Sequence, residues 1–153
     1  MDISSKIIDA TVDIFTTMVM MEITAGEPIN SVTRPLKAST TGTIGLGGLY
    51  KGMLAIHIPN EVAIAITSSF LGMEVEDVND DVLDAVGELT NMLGGSVKGI
   101  LSENGSDLQL SLPSTISGEE YNFQCKEKAD IVVIPFSVAE NQQFLVELQL
   151  QSS

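Results

Sequence analysis

The chain has no tryptophan, one cysteine, one histidine and only seven lysines and arginines. With Cys125 alone, neither an internal disulfide framework nor a thiolate metal cluster can be built, so a reducing compartment, by default the cytoplasm, is expected. The seven basic residues stand against 21 Asp and Glu, a formal balance of −14. No basic stripe is available to neutralise phosphates, which argues against nucleic-acid binding, and anionic membranes would repel the same surface. Long apolar runs are missing too. The run from Ile14 to Met21 holds two threonines and is far shorter than a membrane span. Asp9 and Asp13 just upstream, with no basic leader, make a signal peptide a poor fit. Aromatic residues are only 5%, so the core must come from Ile, Leu, Val, Met and Ala.

What is present is ample apolar material. Hydrophobic residues make up 44% of 153 positions and charged ones 18%, the balance of a folded domain and not of a disordered chain. Ile7, Ile8, Val12, Phe15, Val19 and Met20 follow a helical rhythm through the first 23 residues, with Ser4 or Ser5 as a cap. Gly26, Pro28 and Asn30 break it. Ser31 to Ser39 reads as a strand kept near an edge by Pro35. Thr40 to Ile58 reads as a hairpin turning at Gly47-Gly48. Pro59 ends its second strand, and Asn60 is placed to cap a helix running to about Leu71.

A second, longer helix is expected from about Asn79 to Leu101, with Asp77, Asp80 and Asp81 complementing the dipole at its start. Glu103-Asn104-Gly105 ends it. Three alternating strands then follow, around Leu108–Leu112, Ile131–Phe136 and Phe144–Leu150. No linker interrupts residues 1–153. The expectation is a single α+β domain, a mainly antiparallel sheet covered by long helices.

The long helix carries the chemistry. At about 100° per residue, placing Asp84 at 0° puts Glu88 near 40° and Asn91 near −20°. Leu83, Val86, Leu89, Leu93, Val97, Ile100 and Leu101 gather on the other side, so the acid–acid–amide triplet faces solvent or a partner. Gly87, Gly94 and Gly95 lie beside or within the polar face, where each costs up to about 1 kcal/mol relative to Ala. Close backbone approach or packing on the sheet would explain them. Any exposed helix face carries such residues, so geometry alone does not make this triplet a site.

Other candidates read as structural. The acids Asp77, Asp80, Asp81, Asp84 and Glu88 lack the turn glycine of a calcium loop and have no histidine nearby, so no metal is expected. His57 reads as a half-exposed strand residue, and Cys125 has no partner for a catalytic pair. Gly45, Gly47, Gly48 and Gly52 are not followed by Gly-Lys-Ser/Thr and read as a twisted hairpin. Met18, Met20 and Met21 read as core filler or a dimer surface.

The spacing Asp84-x3-Glu88-x2-Asn91 resembles the signature of the CheC–CheX–FliY family of chemotaxis phosphatases. The run Asp-Ala-Val-Gly-Glu-Leu-Thr-Asn-Met-Leu-Gly-Gly at residues 84–95 is similar to the CheX branch in particular. Element order matches over most of the chain, the C-terminal strands only in kind. CheC and FliY relatives typically carry two motif helices and CheX relatives one. At matching spacing the first helix here offers Asp9, Asp13 and Thr16, which favours the single-motif branch.

The resemblance implies a protein phosphatase acting on the aspartyl phosphate of a CheY-like receiver domain. The receiver would supply Mg2+ and a lysine, and this chain no cofactor. Asn91 would hold the attacking water, as a neutral group that both donates and accepts. Glu88 would reach the receiver lysine. Asp84 would make a rim contact or orient Glu88, though helix solubility accounts for it as well. The alternatives are a module that docks a receiver or flagellar component without catalysis, and a purely structural subunit. The resemblance also implies a homodimer. The alternating segment Phe144–Leu150, so near the terminus, is expected at a sheet edge that a second chain could pair with.

Overall fold

The computed structural model of the chain describes residues 3–29, 36–102, 107–123, 130–139 and 142–152. Helix α1, Ile3–Ile14, passes into a π-helical turn, Phe15–Val19, closed by Met20 in the left-handed region at φ 65°. The short strand β1, Thr24–Ala25, precedes a long hairpin of β2, Leu36–Gly48, and β3, Tyr50–Pro59. Helices α2, Asn60–Leu71, and α3, Asp80–Leu101, follow. Strands β4, Leu108–Leu110, β5, Ser114–Tyr121, β6, Asp130–Ala139, and β7, Gln142–Ser152, complete the order. The result is a single α+β domain, one antiparallel seven-stranded sheet with three helices.

The strand order is β1-β6-β7-β3-β2-β4, and β5 lies beyond β4 along the same side of β2. Alternation does the sorting. Ile44, Leu46, Leu54, Ile56, Ile58, Val146 and Leu148 are buried beneath the helices with Ile7, Val86, Leu89, Leu93 and Val97. The few aromatic rings are concentrated: Phe144 stacks between Phe15, centroids 5.0 Å apart, and Phe136, 5.2 Å.

The opposite face holds a buried polar chain. His57 Nε2 lies 2.9 Å from Glu147, whose other oxygen accepts from Gln149 at 2.6 Å. His57 Nδ1 is 3.0 Å from the Thr41 hydroxyl, itself 2.7 Å from Tyr121 Oη. Burial pushes the Tyr121 phenol above its ordinary pKa, and the hydrogen bond with Thr41 works against that.

Several expectations are corrected here. The first helix stops at Val19, whose carbonyl accepts from Ser69 Oγ at 2.6 Å. Ser4 and Ser5 lie inside α1, and Met20 and Met18 are exposed, 74% and 50%, instead of filling the core. From Leu36 onward β2 is interior to the sheet, while residues 31–35, including Pro35, are outside the described residues. Asn60 does not cap α2. It is the first helical residue, and its Oδ1 accepts from Thr40 Oγ1 at 3.0 Å.

His57 is 1% exposed, because the Phe123 ring packs edge-on against it at 4.8 Å and Thr41 and Glu147 engage its two nitrogens. Strand β4 ends at Leu110, and Leu112 is left in a loop. Strand β5 is not marked in the sequence: Ser-Thr-Ile-Ser-Gly-Glu-Glu-Tyr has no apolar alternation, since an outer strand here buries little. Strand β7 is central, between β3 and β6, and offers no edge. Asn30, the Glu103–Gly105 turn and Cys125 also fall outside the described residues.

Candidate functional site

Helix α3 is specified at its start. Asn79 is its N-cap, its Oδ1 accepting from Val82 N at 3.1 Å, and Asp80 and Asp81 place negative charge in the first turn. Val82, Ala85, Val86, Leu89, Thr90, Leu93, Gly94 and Val97 then form the buried stripe. The helix presses hard on β2. A Cβ at Gly42 would overlap the Thr90 hydroxyl, and one at Gly94 would sit 3.1 Å from Ile44 Cδ1. Close approach is therefore wanted on the buried side. Gly95 faces open space, and a Cβ at Gly87 would meet only Thr115 Cγ2 at an ordinary 3.7 Å.

That seating turns Asp84, Glu88 and Asn91 outward together, all exposed. Among the described residues none of the three side chains has a hydrogen-bond or ion-pair partner, and Asp84 makes no bond that would orient Glu88. They border a groove of about 460 Å3, whose helical wall also includes Leu83 and Gly87. Leu83 is thus half-buried at the groove and not part of the core stripe. Leu112, Pro113 and Thr115 form the opposite wall. Sequence reasoning missed these three, because the pairing of β5 with β2 delivers them. The apolar Leu112 before a proline in a polar stretch was the available signal.

An amide and a carboxylate one turn apart, unpaired and beside an open groove, can hydrogen-bond a water and a cation on an incoming surface. Along the helix they are about 4.5 Å apart in rise. Helix α1 and the π-helical turn after it present Asp9, Asp13 and Thr16, exposed but with neither Glu nor Asn. A larger cavity, about 590 Å3, opens beside His57, but both ring nitrogens are already engaged by Thr41 and Glu147. Among the described residues no three His, Cys, Asp or Glu side chains converge to hold a metal, and no helix is long and apolar enough to cross a membrane.

Sheet and helices together have the fold of the CheC-like superfamily, shared with a CheC-like superfamily protein from Shewanella, 28% identical with a TM-score of 0.87. Residues 40–137 match the family described as Chemotaxis phosphatase CheX, and the chain belongs to that family. It is 27% identical over 133 residues to the CheY-P phosphatase CheX of Thermotoga maritima, covering 86% of this chain and 84% of the relative. The crystal structure of the chemotaxis protein CheX from Desulfovibrio desulfuricans is 29% identical, with a TM-score of 0.86 over 99% of this chain and 100% of that one. The CheX-CheY-BeF3-Mg+2 complex from Borrelia burgdorferi contains a chain of the same fold, 22% identical, with a TM-score of 0.81 over 99% of each chain.

Proposed function

We propose that this chain hydrolyses the aspartyl phosphate of a CheY-like receiver domain, with α3 docked against the phosphorylated site. A water attacks phosphorus in line, the bond to the receiver's aspartate oxygen breaks, and phosphate leaves with the carboxylate restored. An acyl phosphate is already activated, so the reaction needs positioning more than a strong base. Asn91 holds the water: its carbonyl oxygen accepts from it, and its neutral amide is not repelled by the phosphoryl group. Glu88 pairs with the receiver's active-site lysine and sets the register of the helix. Asp84 sits one turn earlier at the rim. Mg2+ belongs to the receiver.

One observation carries this reading. Glu88 and Asn91 stand unpaired on one exposed face of a helix whose other face is locked into the core. The Borrelia burgdorferi neighbour, solved with CheY, BeF3 and Mg2+, and the Thermotoga maritima relative's activity on CheY-P support the choice of partner. A homodimer belongs to the same reading, though β7 cannot mediate it.

The test is phosphate release from a phosphorylated receiver with Mg2+, followed with and without this protein. Acceleration separates catalysis from mere docking. Asn91→Ala should lose on the order of 10²-fold or more in rate while keeping the wild-type circular dichroism. Near wild-type turnover in that variant would remove Asn91 from the mechanism.

A further inference from the structure

The far wall of the groove is built in a way that the motif does not explain. Leu112 is 87% exposed, the most exposed of the large apolar side chains among the described residues. Isolated exposed leucines are ordinary on a surface. This one, however, shares the groove with Glu88 and Asn91, and its backbone is held on both sides. On one side Ser111 N donates to Gly45 O at 3.0 Å, and Ser111 Oγ accepts from Gly45 N at 2.8 Å. The same hydroxyl donates to Leu112 O, also at 3.0 Å. On the other side Ser114 is paired with Thr43 in the β2–β5 ladder. Pro113 restricts Leu112 to extended backbone between these clamps.

A short loop tied to the sheet at both ends, carrying one bare leucine, loses little entropy when something covers it. The covering surface must be the one that meets Glu88 and Asn91, because all three border one groove. Resting on the function proposed above, we infer that Leu112 is a docking residue for the phosphorylated receiver, packing on an apolar side chain beside the receiver's phosphorylated aspartate. Polar contacts on the helical wall set chemistry and register. The leucine on the other wall supplies hydrophobic burial and selects receivers that offer an apolar neighbour there. Its contact is the same before and during hydrolysis, so it contributes to binding the ground state and the transition state alike.

Phosphate release measured against receiver concentration, together with affinity for a receiver carrying beryllofluoride and Mg2+, tests this. Leu112→Ser should raise KM and Kd on the order of tenfold and leave kcat unchanged. Leu112→Met should stay near wild type. Because the side chain is exposed and β5 remains clamped, both variants should unfold at the wild-type midpoint. A wild-type protein that fails to speed phosphate release defeats the functional reading, and the role of Leu112 falls with it. If the wild type is active while Leu112→Ser keeps its KM and Kd, the docking role alone is overturned. A fall in kcat at constant KM also overturns it. So does a changed molecular mass of Leu112→Ser with unchanged receiver affinity, which would assign the leucine to contacts between copies of this chain.

Discussion

Glu88 and Asn91 are one helical turn apart and are asked to do different things. An amide can hold a water without drawing or repelling charge, while a carboxylate is suited to a cation at a fixed place. The distinction can be measured. Glu88→Lys sets like charge against the receiver lysine and should weaken binding to the activated receiver by tenfold or more, about 1.4 kcal/mol per tenfold. Asp80→Lys, equal in charge change but at the helix entrance, should have a far milder effect. Equal losses in titrations of the two variants would reduce the contact to net charge. His57 teaches the converse lesson. Its identity was plain in the sequence, but its two partners lie 16 and 90 positions away. Only strand pairing across β2, β3 and β7 makes it a buried member of a polar chain.

At the scale of the element, α3 was legible almost to the residue, because an acidic first turn and an amphipathic stripe are local signals. How deeply it sits on the sheet was not. Gly42 on β2 and Thr90 on α3 form a contact that no local pattern marks. Gly42→Ala should therefore destabilise the fold by about 1–3 kcal/mol through overpacking, seen as a lower urea midpoint with an unchanged m-value. Gly87→Ala meets no such obstacle, and removing a helical glycine should raise stability by up to about 1 kcal/mol. If the two substitutions shift the midpoint alike, the close seating of α3 on β2 is not what Gly42 provides. Strand β5 is unmarked in the sequence for a related reason. Its eight residues bury so little that hydrophobic alternation, the usual mark of a strand, is absent.

For the whole molecule, the arrangement of strands decides which surfaces remain for other chains. With β7 in the middle, the described sheet ends at β1 on one side and at β4 and β5 on the other. A homodimer formed by strand pairing would have to use one of these margins, against the repulsion of two chains of charge −14. Light scattering after size exclusion at micromolar concentration should give about twice the chain's 16.3 kDa, with the dimer tightening as salt screens the repulsion. A mass near 16.3 kDa at both low and high salt would leave the monomer as the working unit.

By itself the sequence determined what depends on near neighbours: the α+β class, the acidic start and stripe of α3, the hairpin, and the spacing that turns Asp84, Glu88 and Asn91 the same way. Helical and strand periods are properties of a few consecutive residues, and they survive without knowledge of the rest. The tertiary structure alone decided that the last strand is central, that His57 is enclosed, and that Leu112 stands across a groove from Asn91. Each of these is set by pairing between residues tens of positions apart, where β2 accepts β3 on one side and both β4 and β5 on the other. Such choices are made by burial and backbone hydrogen bonding summed over the whole sheet, and no short stretch of chain contains them.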